Sequence, residues 1–457
     1  MRSTASLTGD WAAKESQISA RSHLGTREQP WMVVDIDIAD GVPDLPAVDD
    51  KGKRIGGAFV LVRVFTEPVA GLWVAVTGAG LSRQELGRVV ESEVGDRVRA
   101  RLRAAGCLDV AAGLPLEGAN VPTRPAWLVG RDAAEASAMN LTIALCTRGR
   151  PDGVRRCLAS LQEQTYPRIT VLVIDNAPTD DQVRKFVETA HFKVPVHYVV
   201  EPTPGLSYAR NRAVESCQTE LIAFIDDDEV ACPYWAAEVV RAFVEDPGVD
   251  CVTGVVTPSE LKTAAQQLFE RYGGHSKGRG FQPVTFDGRQ LGKSAPLFPL
   301  PAFGAGANMS FRVSVIRDLG GFDTALGAGT PSLGGEDTEI LSNVLLSGRR
   351  IAYRPAALVR HCHRATYELL RVQFYGVGAG LTAFYAAVVS RHPMYVFRLV
   401  ALAPRAFREV FGSHGDRAGS IGDSFPPDLL AANRRGMTRG PMAYWRTRMR
   451  QHLQQKI

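Results

Sequence analysis

The apolar positions of this chain follow two patterns, and the change falls near residue 140. In the first part, the apolar runs WMVVDIDI and GGAFVLVRVF are typical of strands, and a helical repeat follows them. The pattern predicts a small α+β domain over residues 30–110, after a polar segment 1–29 that is expected to be disordered. A stretch rich in Gly, Pro and Ala over residues 111–138 predicts a linker. The apolar positions of the helical repeat are Leu86, Val89, Val90, Val94 and Val98.

From Leu141 onward, short apolar runs alternate with helical segments. LTIALCT, ITVLVID, VHYVV and LIAFID each end in polar residues, and amphipathic helices lie between them. Such alternation predicts a Rossmann-like, mostly parallel α/β sheet over residues 139–365, with a helical, basic region over 366–457. Ligands of these sheets bind beyond the carboxyl ends of the strands, so the polar residues at those ends are the first candidates for a site.

Composition limits the classes of protein to which the chain can belong. Hydrophobic residues make up 45% and charged residues 22%, as in ordinary globular proteins, and the net charge of +5 is too small to indicate nucleic acid as a partner. The seven cysteines are scattered, without the paired spacing of a zinc knuckle or a disulfide framework. From Arg434 to the C-terminus there are seven basic residues and no acidic one, which fits a solvated tail or a membrane-surface contact.

The expected compartment follows from two kinds of segment that we looked for in the sequence, a signal peptide and a membrane-spanning helix. The first thirty residues contain no apolar stretch of signal-peptide length, and no apolar run of 18 or more residues occurs. The apolar segment after residue 366 is interrupted by Arg391, Pro393, Arg398 and Pro404, so we expect it to pack as core helices. We therefore expect a cytoplasmic protein, with peripheral contact at the inner face of the membrane as an alternative.

Four consecutive acids, Asp226 to Glu229, directly follow the apolar residues LIAFI of the fourth strand. Packed carboxylates repel one another unless a cation or solvent neutralises them, and Mg²⁺ and Mn²⁺ prefer carboxylate and phosphate oxygens. The run therefore indicates a metal and diphosphate site, although a solvated acidic turn has the same composition. Upstream, Arg210 and Arg212 follow Gly205 on a predicted helix; they suit phosphate binding or an exposed helix face equally. Asp175, at the end of the second strand, is placed to bind a nucleotide, although Asp-Asn is also ordinary turn chemistry.

These residues resemble the inverting family 2 glycosyltransferases, which have the GT-A fold. The resemblance covers about residues 141–380 and rests on seven ordered motifs. Four of them look like the nucleotide half: TRGRP from Thr147, VIDN from Val173, GLSYARN from Gly205 and FIDDDE from Phe224. Three look like the acceptor half: GANMSFR from Gly306, GGFD from Gly320 and GGEDTE from Gly334.

The resemblance implies a role for each matching residue. Asp226 and Asp228 would form an Asp-x-Asp motif that binds Mn²⁺ or Mg²⁺, with His361 as a further candidate ligand and His363 a weaker one. Asp337 would be the general base, with Glu336 as the second candidate; both also suit a helix start. The remaining residues would bind the nucleotide sugar: Thr147, Arg148, Asp175, Asn176, Arg210, Asp226, Asp227 and Asn308.

The implied enzyme is a hexosyltransferase-type protein that moves a sugar from a nucleoside diphosphate sugar to an acceptor hydroxyl, with inversion. The acceptor stays open, with lipid-linked sugars and secondary metabolites among the classes. The chain lacks the Gln-x-x-Arg-Trp motif and the spanning helices of processive synthases, so a single transfer is expected. Two alternatives remain: an inactive sugar-nucleotide-binding or scaffold protein, and a metal-dependent nucleotidyl or phosphoryl transferase, for which no GxxxxGK[ST] loop is present.

Overall fold

The computed structural model describes residues 29–107, 113–292, 297, 303–411 and 425–454. Nearly all of the segment 1–29, expected to be disordered, lies outside these residues. The first described unit is a three-stranded sheet in which β1 (Trp31–Asp37) runs parallel to β2 (Gly57–Val64) and β2 runs antiparallel to β3 (Glu67–Ala75). Helix α1 (Arg83–Ala104) covers one face and buries Leu86, Val90, Val94 and Val98 in a shared core.

The predicted linker contains a helix, α2 (Ala126–Ala136). This helix packs on α6 (Trp235–Glu245), and the side chains of Arg131 and Glu238 form a buried ion pair 2.6 Å long. Since an unpaired charge here would be costly to bury, the ion pair ties this segment to the main domain. The composition indicated a linker because residues rich in Gly and Pro flank a helix of only 11 residues.

The main sheet has nine strands within the described residues. Parallel strands β6 (Val196–Glu201), β5 (Ile169–Asn176), β4 (Leu141–Thr147) and β7 (Leu221–Asp226) form one half. Antiparallel β11 (Met309–Arg312) joins β7 to β9 (Cys251–Pro258), which runs parallel to β12 (Arg350–His361). Two short strands, β8 (Glu229–Ala231) and β10 (Val284–Asp287), pair antiparallel with β12. This mostly parallel arrangement confirms the fold class predicted from the sequence.

Helices cover both faces of the sheet because each parallel crossover requires one. The connecting helices are α3 (Pro151–Leu161), α4 (Gln182–Thr189) and α5 (Leu206–Ser216), followed by α6. Helix α7 (Ala264–Arg271), α8 (Val313–Asp318) and α9 (Glu336–Leu346) lie in the second half of the domain. Every residue of β4 is buried, as expected for a central strand with helices on both sides.

Three helices form the C-terminal region: α10 (Tyr367–Arg391), α11 (Tyr395–Phe411) and α12 (Pro427–Gln454). The sequence predicted that the segment after residue 366 is too interrupted to cross a bilayer. That segment includes α10, a continuous helix of 25 residues. Within the part of the chain that is described, α10 is long and apolar enough to span a membrane, but half of its most apolar window is buried inside the protein. Its close packing on α12 is typical of a core helix.

Candidate active site

Register in the parallel half brings the predicted strand-end residues to one edge of the sheet. Thr147 is the partner of Asp175 across β4 and β5, and Cys146 is the partner of Asp226 across β4 and β7. The same edge opens into a cleft that the acidic turn Asp226–Asp228, Arg148, Arg150 and Arg364 help to line. The cleft is therefore rich in both signs of charge.

The acidic turn presents its carboxylates in different directions. Asp226 and Asp228 are 28% and 13% exposed at the side chain, whereas Asp227 is 7% exposed. Both oxygens of Asp227 bind within the protein: Thr147 Oγ1 donates to one at 2.7 Å, and Arg150 Nη1 to the other at 2.9 Å. Asp227 therefore fixes the turn, while Asp226 and Asp228 offer oxygen atoms to the cleft. In this structure Asp227 has no carboxylate oxygen free to contact a nucleotide sugar, and that predicted contact stays a prediction.

The fourth acid of the run, Glu229, is 1% exposed and stabilises the turn from inside the protein. Its carboxylate accepts a hydrogen bond from the backbone N–H of Asp226 at 3.0 Å. Burial and the neighbouring carboxylate of Asp226 raise the pKa of Glu229 well above its usual value. A buried acid that prefers its neutral form is a poor ligand for a divalent cation.

Two arginines and a histidine converge on Asp228. Arg150 Nη1 lies 3.0 Å and Arg364 Nη2 3.4 Å from Oδ2, while His361 Nε2 lies 3.3 Å from Oδ1. Burial opposes ionisation, but the hydrogen bond from His361 and the charges of Arg364 and Arg150 outweigh it and hold the pKa of Asp228 below its usual range. Asp228 is therefore ionised, which a metal ligand requires.

The second acidic motif starts helix α9. Gly306, which precedes β11, donates its N–H to Asp337 Oδ2 at 2.8 Å; a Cβ at that position would lie 2.7 Å from the Asp337 side chain. The other oxygen of Asp337 accepts the N–H of Thr338 at 2.7 Å. Asp337 is thus oriented by backbone donors and remains partly exposed, as a base that must meet an acceptor needs to be.

Glu336 has the opposite character because it is 6% exposed. Burial, reinforced by the charge of Asp337 and opposed by Arg210, raises the pKa of Glu336 to about 7. One of its oxygens has no partner in the protein, and the other accepts from Arg210.

Arg210 connects the two acidic motifs. Its side chain is 1% exposed, with Nη1 2.9 Å from Glu336 Oε1 and Nη2 3.3 Å from Asp226 Oδ1. The rings of Phe224 and Phe322 flank the guanidinium. The sequence predicted a nucleotide contact for Arg210, but a guanidinium buried between two carboxylates has little access to a phosphate. In this structure Arg210 holds the two motifs together, and its predicted contact with the nucleotide stays a prediction.

The predicted nucleotide-binding residues divide into two groups. Arg148 is exposed in the cleft, and Asp175 is buried with one oxygen on the Tyr198 hydroxyl at 2.8 Å and the other without a partner. Asn176 is 4% exposed and binds inside the protein, accepting from Gly205 N and donating to Thr203 O. Asn176 therefore shapes the wall of the cleft through the loop before α5.

Asn308 lies outside the group that the cleft brings together. It is 1% exposed; Nδ2 donates to the carbonyls of Val255 and Ala357, and Oδ1 accepts from Trp235 Nε1. All of these partners belong to the protein, and the predicted contact with a nucleotide sugar stays a prediction. Asn308 links the strands β9 and β12 to helix α6.

Sequence reasoning did not select Arg150 and Arg364 as site residues, although both face Asp228. Arg150 lies inside the TRGRP motif, so the motif itself carried the signal. Arg364 could not be found in this way, because it reaches the turn only through the pairing of β8 with β12, which sets Glu229 opposite His361. His363 faces Glu270 rather than the acidic turn, with Nε2 2.7 Å from Oε1.

Comparison with known proteins identifies the central part of the chain. Residues 142–320 match the model of the family described as glycosyl transferase family 2. The chain contains a family 2 glycosyltransferase domain. The domain includes the acidic turn and Arg210, while the acid pair at α9 and the histidines at the end of β12 lie beyond the matched range.

The relatives of the glycosyltransferase domain act on different compounds. Over 269 residues the chain is 26% identical to pre-mycofactocin glycosyltransferase of Mycobacterium tuberculosis strain H37Rv, covering 58% of this chain and 50% of that protein. It is 22% identical over 227 residues to glucosyl-dolichyl phosphate glucuronosyltransferase of Haloferax volcanii, covering 49% and 69%. The chain thus spans about half the length of the first of these curated relatives. A solved structure of mannosyltransferase PcManGT from Pyrobaculum calidifontis, in complex with GDP-Man and Mn²⁺, aligns at 16% identity with a TM-score of 0.45, covering 68% of this chain and 94% of that one.

Proposed function

We propose that this protein transfers a sugar from a nucleoside diphosphate sugar to an acceptor hydroxyl, in a single displacement that inverts the anomeric carbon. The observation that carries the proposal is Arg210, whose buried guanidinium binds Asp226 of the acidic turn and Glu336 of the acid pair at once. Group transfer needs a site for the leaving phosphate and a base for the attacking hydroxyl within reach of the same carbon. Arg210 holds one motif of each kind beside the other.

The donor set of the acidic turn fits Mn²⁺ or Mg²⁺. Asp226 and Asp228 offer carboxylate oxygens to the cleft, and hard divalent cations bind such oxygens together with substrate phosphates. The bound cation would supply charge stabilisation for the departing diphosphate. Arg148, Arg150 and Arg364 line the same cleft and are the residues that we propose contact phosphate oxygens, since guanidinium groups donate paired hydrogen bonds to them.

In this proposal Asp337 accepts the proton of the acceptor hydroxyl. Its carboxylate is oriented by the N–H groups of Gly306 and Thr338, so it faces the reaction without rotating away. Glu336 does not serve as the base, because its paired and buried carboxyl has no route to an acceptor. It instead neutralises Arg210 at the base of the site.

The test is a panel of nucleotide sugars incubated with the purified full-length protein and Mn²⁺. We expect release of a nucleoside diphosphate from one donor, and loss of that release when the cation is chelated. Release of pyrophosphate instead would indicate a nucleotidyl transferase. Binding of a nucleotide sugar without release, under every acceptor condition tried, would support a sugar-nucleotide-binding protein and refute transfer.

The C-terminal helices bear on two further parts of the proposal, the acceptor and the cellular location. Helix α11 exposes the apolar side chains of Phe397 and Val400, and Met394, just before it, is also exposed. Helix α12 carries six arginines against the single acid Asp428. A region that exposes apolar side chains and also carries a basic helix suits the surface of an anionic bilayer. We therefore propose a cytoplasmic protein that contacts the inner face of the membrane, where a lipid-linked acceptor would be available.

Sedimentation with vesicles tests this contact. We expect the protein to bind vesicles containing phosphatidylglycerol and to bind phosphatidylcholine vesicles several-fold less. The double variant Phe397→Ser and Val400→Ser should lose most of the binding. Val129→Ser, which alters an exposed apolar residue on α2, should leave it unchanged. Equal binding by all three proteins would refute the contact.

A further inference from the structure

Three histidines meet next to the acidic turn, at the end of β12. His361 ends β12, His363 follows it, and His275 lies in the turn after α7. One ligand atom from each lies within 4.8 Å of the others. His361 and His363 are 5% and 4% exposed, and Nε2 of His275 is buried.

The hydrogen bonds of two of these rings determine where their lone pairs point. Nε2 of His363 lies 2.7 Å from Glu270 Oε1, and Nε2 of His361 lies 3.3 Å from Asp228 Oδ1. A carboxylate only accepts, so each Nε2 carries the hydrogen, and a neutral ring then has its lone pair on Nδ1. The two Nδ1 atoms face each other at 2.9 Å. Two lone pairs at that distance repel unless a cation or a proton lies between them.

The third ring favours a cation. His275 packs against His361 with the ring centroids 4.3 Å apart, and its buried Nε2 has no hydrogen-bond partner in the protein. A buried imidazole nitrogen without a hydrogen-bond partner is available as a metal ligand. A shared proton would satisfy His361 and His363 but would leave Nε2 of His275 without a partner. A metal ion would satisfy all three rings.

The backbone near His275 is built to bring that ring inward. Gly274 has a φ of +53°, and a Cβ there would lie 2.2 Å from the carboxylate of Glu270. Only glycine allows the turn to pass so close to the residue that orients His363. The ring of Phe269 packs on both His275 and His363 and completes an apolar wall.

We propose that His275, His361 and His363 bind a zinc ion, at a site separate from the carboxylate site on the opposite edge of the His361 ring. Zinc is commonly bound by three imidazole nitrogens when carboxylates contact the other nitrogen of the same rings, as Glu270 and Asp228 contact Nε2 of His363 and His361 here. Zinc-bound nitrogens at tetrahedral angles lie about 3.4 Å apart, so the two Nδ1 atoms need to separate by only a few tenths of an ångström. The ion would fix His361, and through it the position of Asp228. The proposal does not depend on glycosyl transfer.

Metal analysis of the protein purified without a metal-affinity tag tests the site. After dialysis against metal-free buffer, we expect about one zinc per chain in the wild type, and at least a tenfold loss in His275→Ala and His363→Ala. His191→Ala, at an exposed position remote from the site, should match the wild type. Asp226→Asn should also retain zinc, because it alters only the carboxylate site. A metal-free wild type that does not take up added zinc, or zinc retained by both histidine variants, would overturn the proposal.

A second measurement needs no variant and therefore does not depend on their folding. Replacing the bound ion with Co²⁺ in the wild type should give the intense visible absorption of a four-coordinate cobalt site with nitrogen ligands. The weak spectrum of six-coordinate cobalt, or no bound cobalt, would overturn the proposal. Chelation by phenanthroline should also lower the melting temperature of the wild type while leaving that of His363→Ala unchanged.

Discussion

The acidic turn after β7 and the acid pair at the start of α9 have similar composition but opposite environments. A hydrogen bond from His361 and the charges of Arg364 and Arg150 keep the pKa of Asp228 low, whereas Glu336 shares one arginine, is buried, and has its pKa raised to about 7. Between them, Arg210 binds one carboxylate of each. The difference teaches that clustered acids are not equivalent: partners and burial decide whether a carboxylate is available as a ligand, as a base, or only as structural support.

The strongest test of this division of roles is Asp337→Asn. An amide cannot accept the proton, so we expect transfer to fall by about 10²- to 10⁴-fold while nucleotide-sugar binding persists. Turnover and binding are measured separately, by product formation and by calorimetry. Asp180→Asn, at an exposed position, is the control. Turnover close to that of the wild type would remove Asp337 from the mechanism.

Arg210→Gln tests the link between the two motifs. Removing a buried cation leaves Asp226 and Glu336 unpaired, and we expect a loss of about 3 to 5 kcal/mol in the free energy of unfolding. Arg212→Gln is a matched control two residues away, because Arg212 is exposed and pairs only with Glu215 at 3.4 Å. Denaturant unfolding measures both variants. Equal stability of the two would contradict the bridging role.

The opposite pKa shifts predict opposite dependence of stability on pH. The raised pKa of Glu336 means that its contribution is full below about pH 4.5 and is lost as the pH rises through about 7. The lowered pKa of Asp228 means that its contribution is full above its ordinary value and is lost only in acid. Between pH 5 and 8, Glu336→Gln should therefore remove on the order of 2 kcal/mol of pH-dependent stability.

Asp228→Asn provides the comparison for that measurement. We expect it to lower stability by a similar amount at pH 5 and at pH 8, because the carboxylate is ionised throughout that window. Melting curves at both pH values give the difference between each variant and the wild type. Parallel pH profiles for the wild type and Glu336→Gln would show that Glu336 does not titrate there.

The smallest expected effect is that of Arg364→Gln. Arg364 is one of three arginines at the cleft, so we expect nucleotide-sugar affinity to fall by about tenfold, with the other two still present. Arg168→Gln is the control, because Arg168 is exposed and lies just before β5, at the opposite end of that strand from the cleft. Calorimetric titration at two salt concentrations measures the effect. An unchanged affinity would restrict the role of Arg364 to positioning Asp228.

The sequence predicted the parallel half of the sheet well because its information is local. Four apolar runs, each followed by polar residues and an amphipathic helix, permit few topologies, and right-handed crossovers bring the strand ends to one edge. For the same reason Thr147, Arg148 and the acidic turn were predicted to lie together, and the structure places them along one cleft. Helix α2 was missed because it has only 11 residues within a stretch rich in Gly, Pro and Ala, and its ion pair of Arg131 with Glu238 exists only in the folded chain.

The roles of single side chains were harder to predict, because a role depends on which atoms already have partners. Asn308 and Arg210 belong to motifs that the sequence marks clearly, yet the fold uses their polar atoms internally. Nothing in the spacing of His275, His361 and His363 indicates that they meet, since residues 86 positions apart approach only when α7 packs beside β12.

By itself, therefore, the sequence determined the order of strands and helices and the edge of the sheet where charged residues gather. Periodicity and turn chemistry act over a few residues, and the chain carries that information directly. Only the tertiary structure decided which carboxylates remain open to the cleft, and that three distant imidazoles share one buried space. Burial and hydrogen bonding between remote segments set those properties, and they exist only once the segments have packed together.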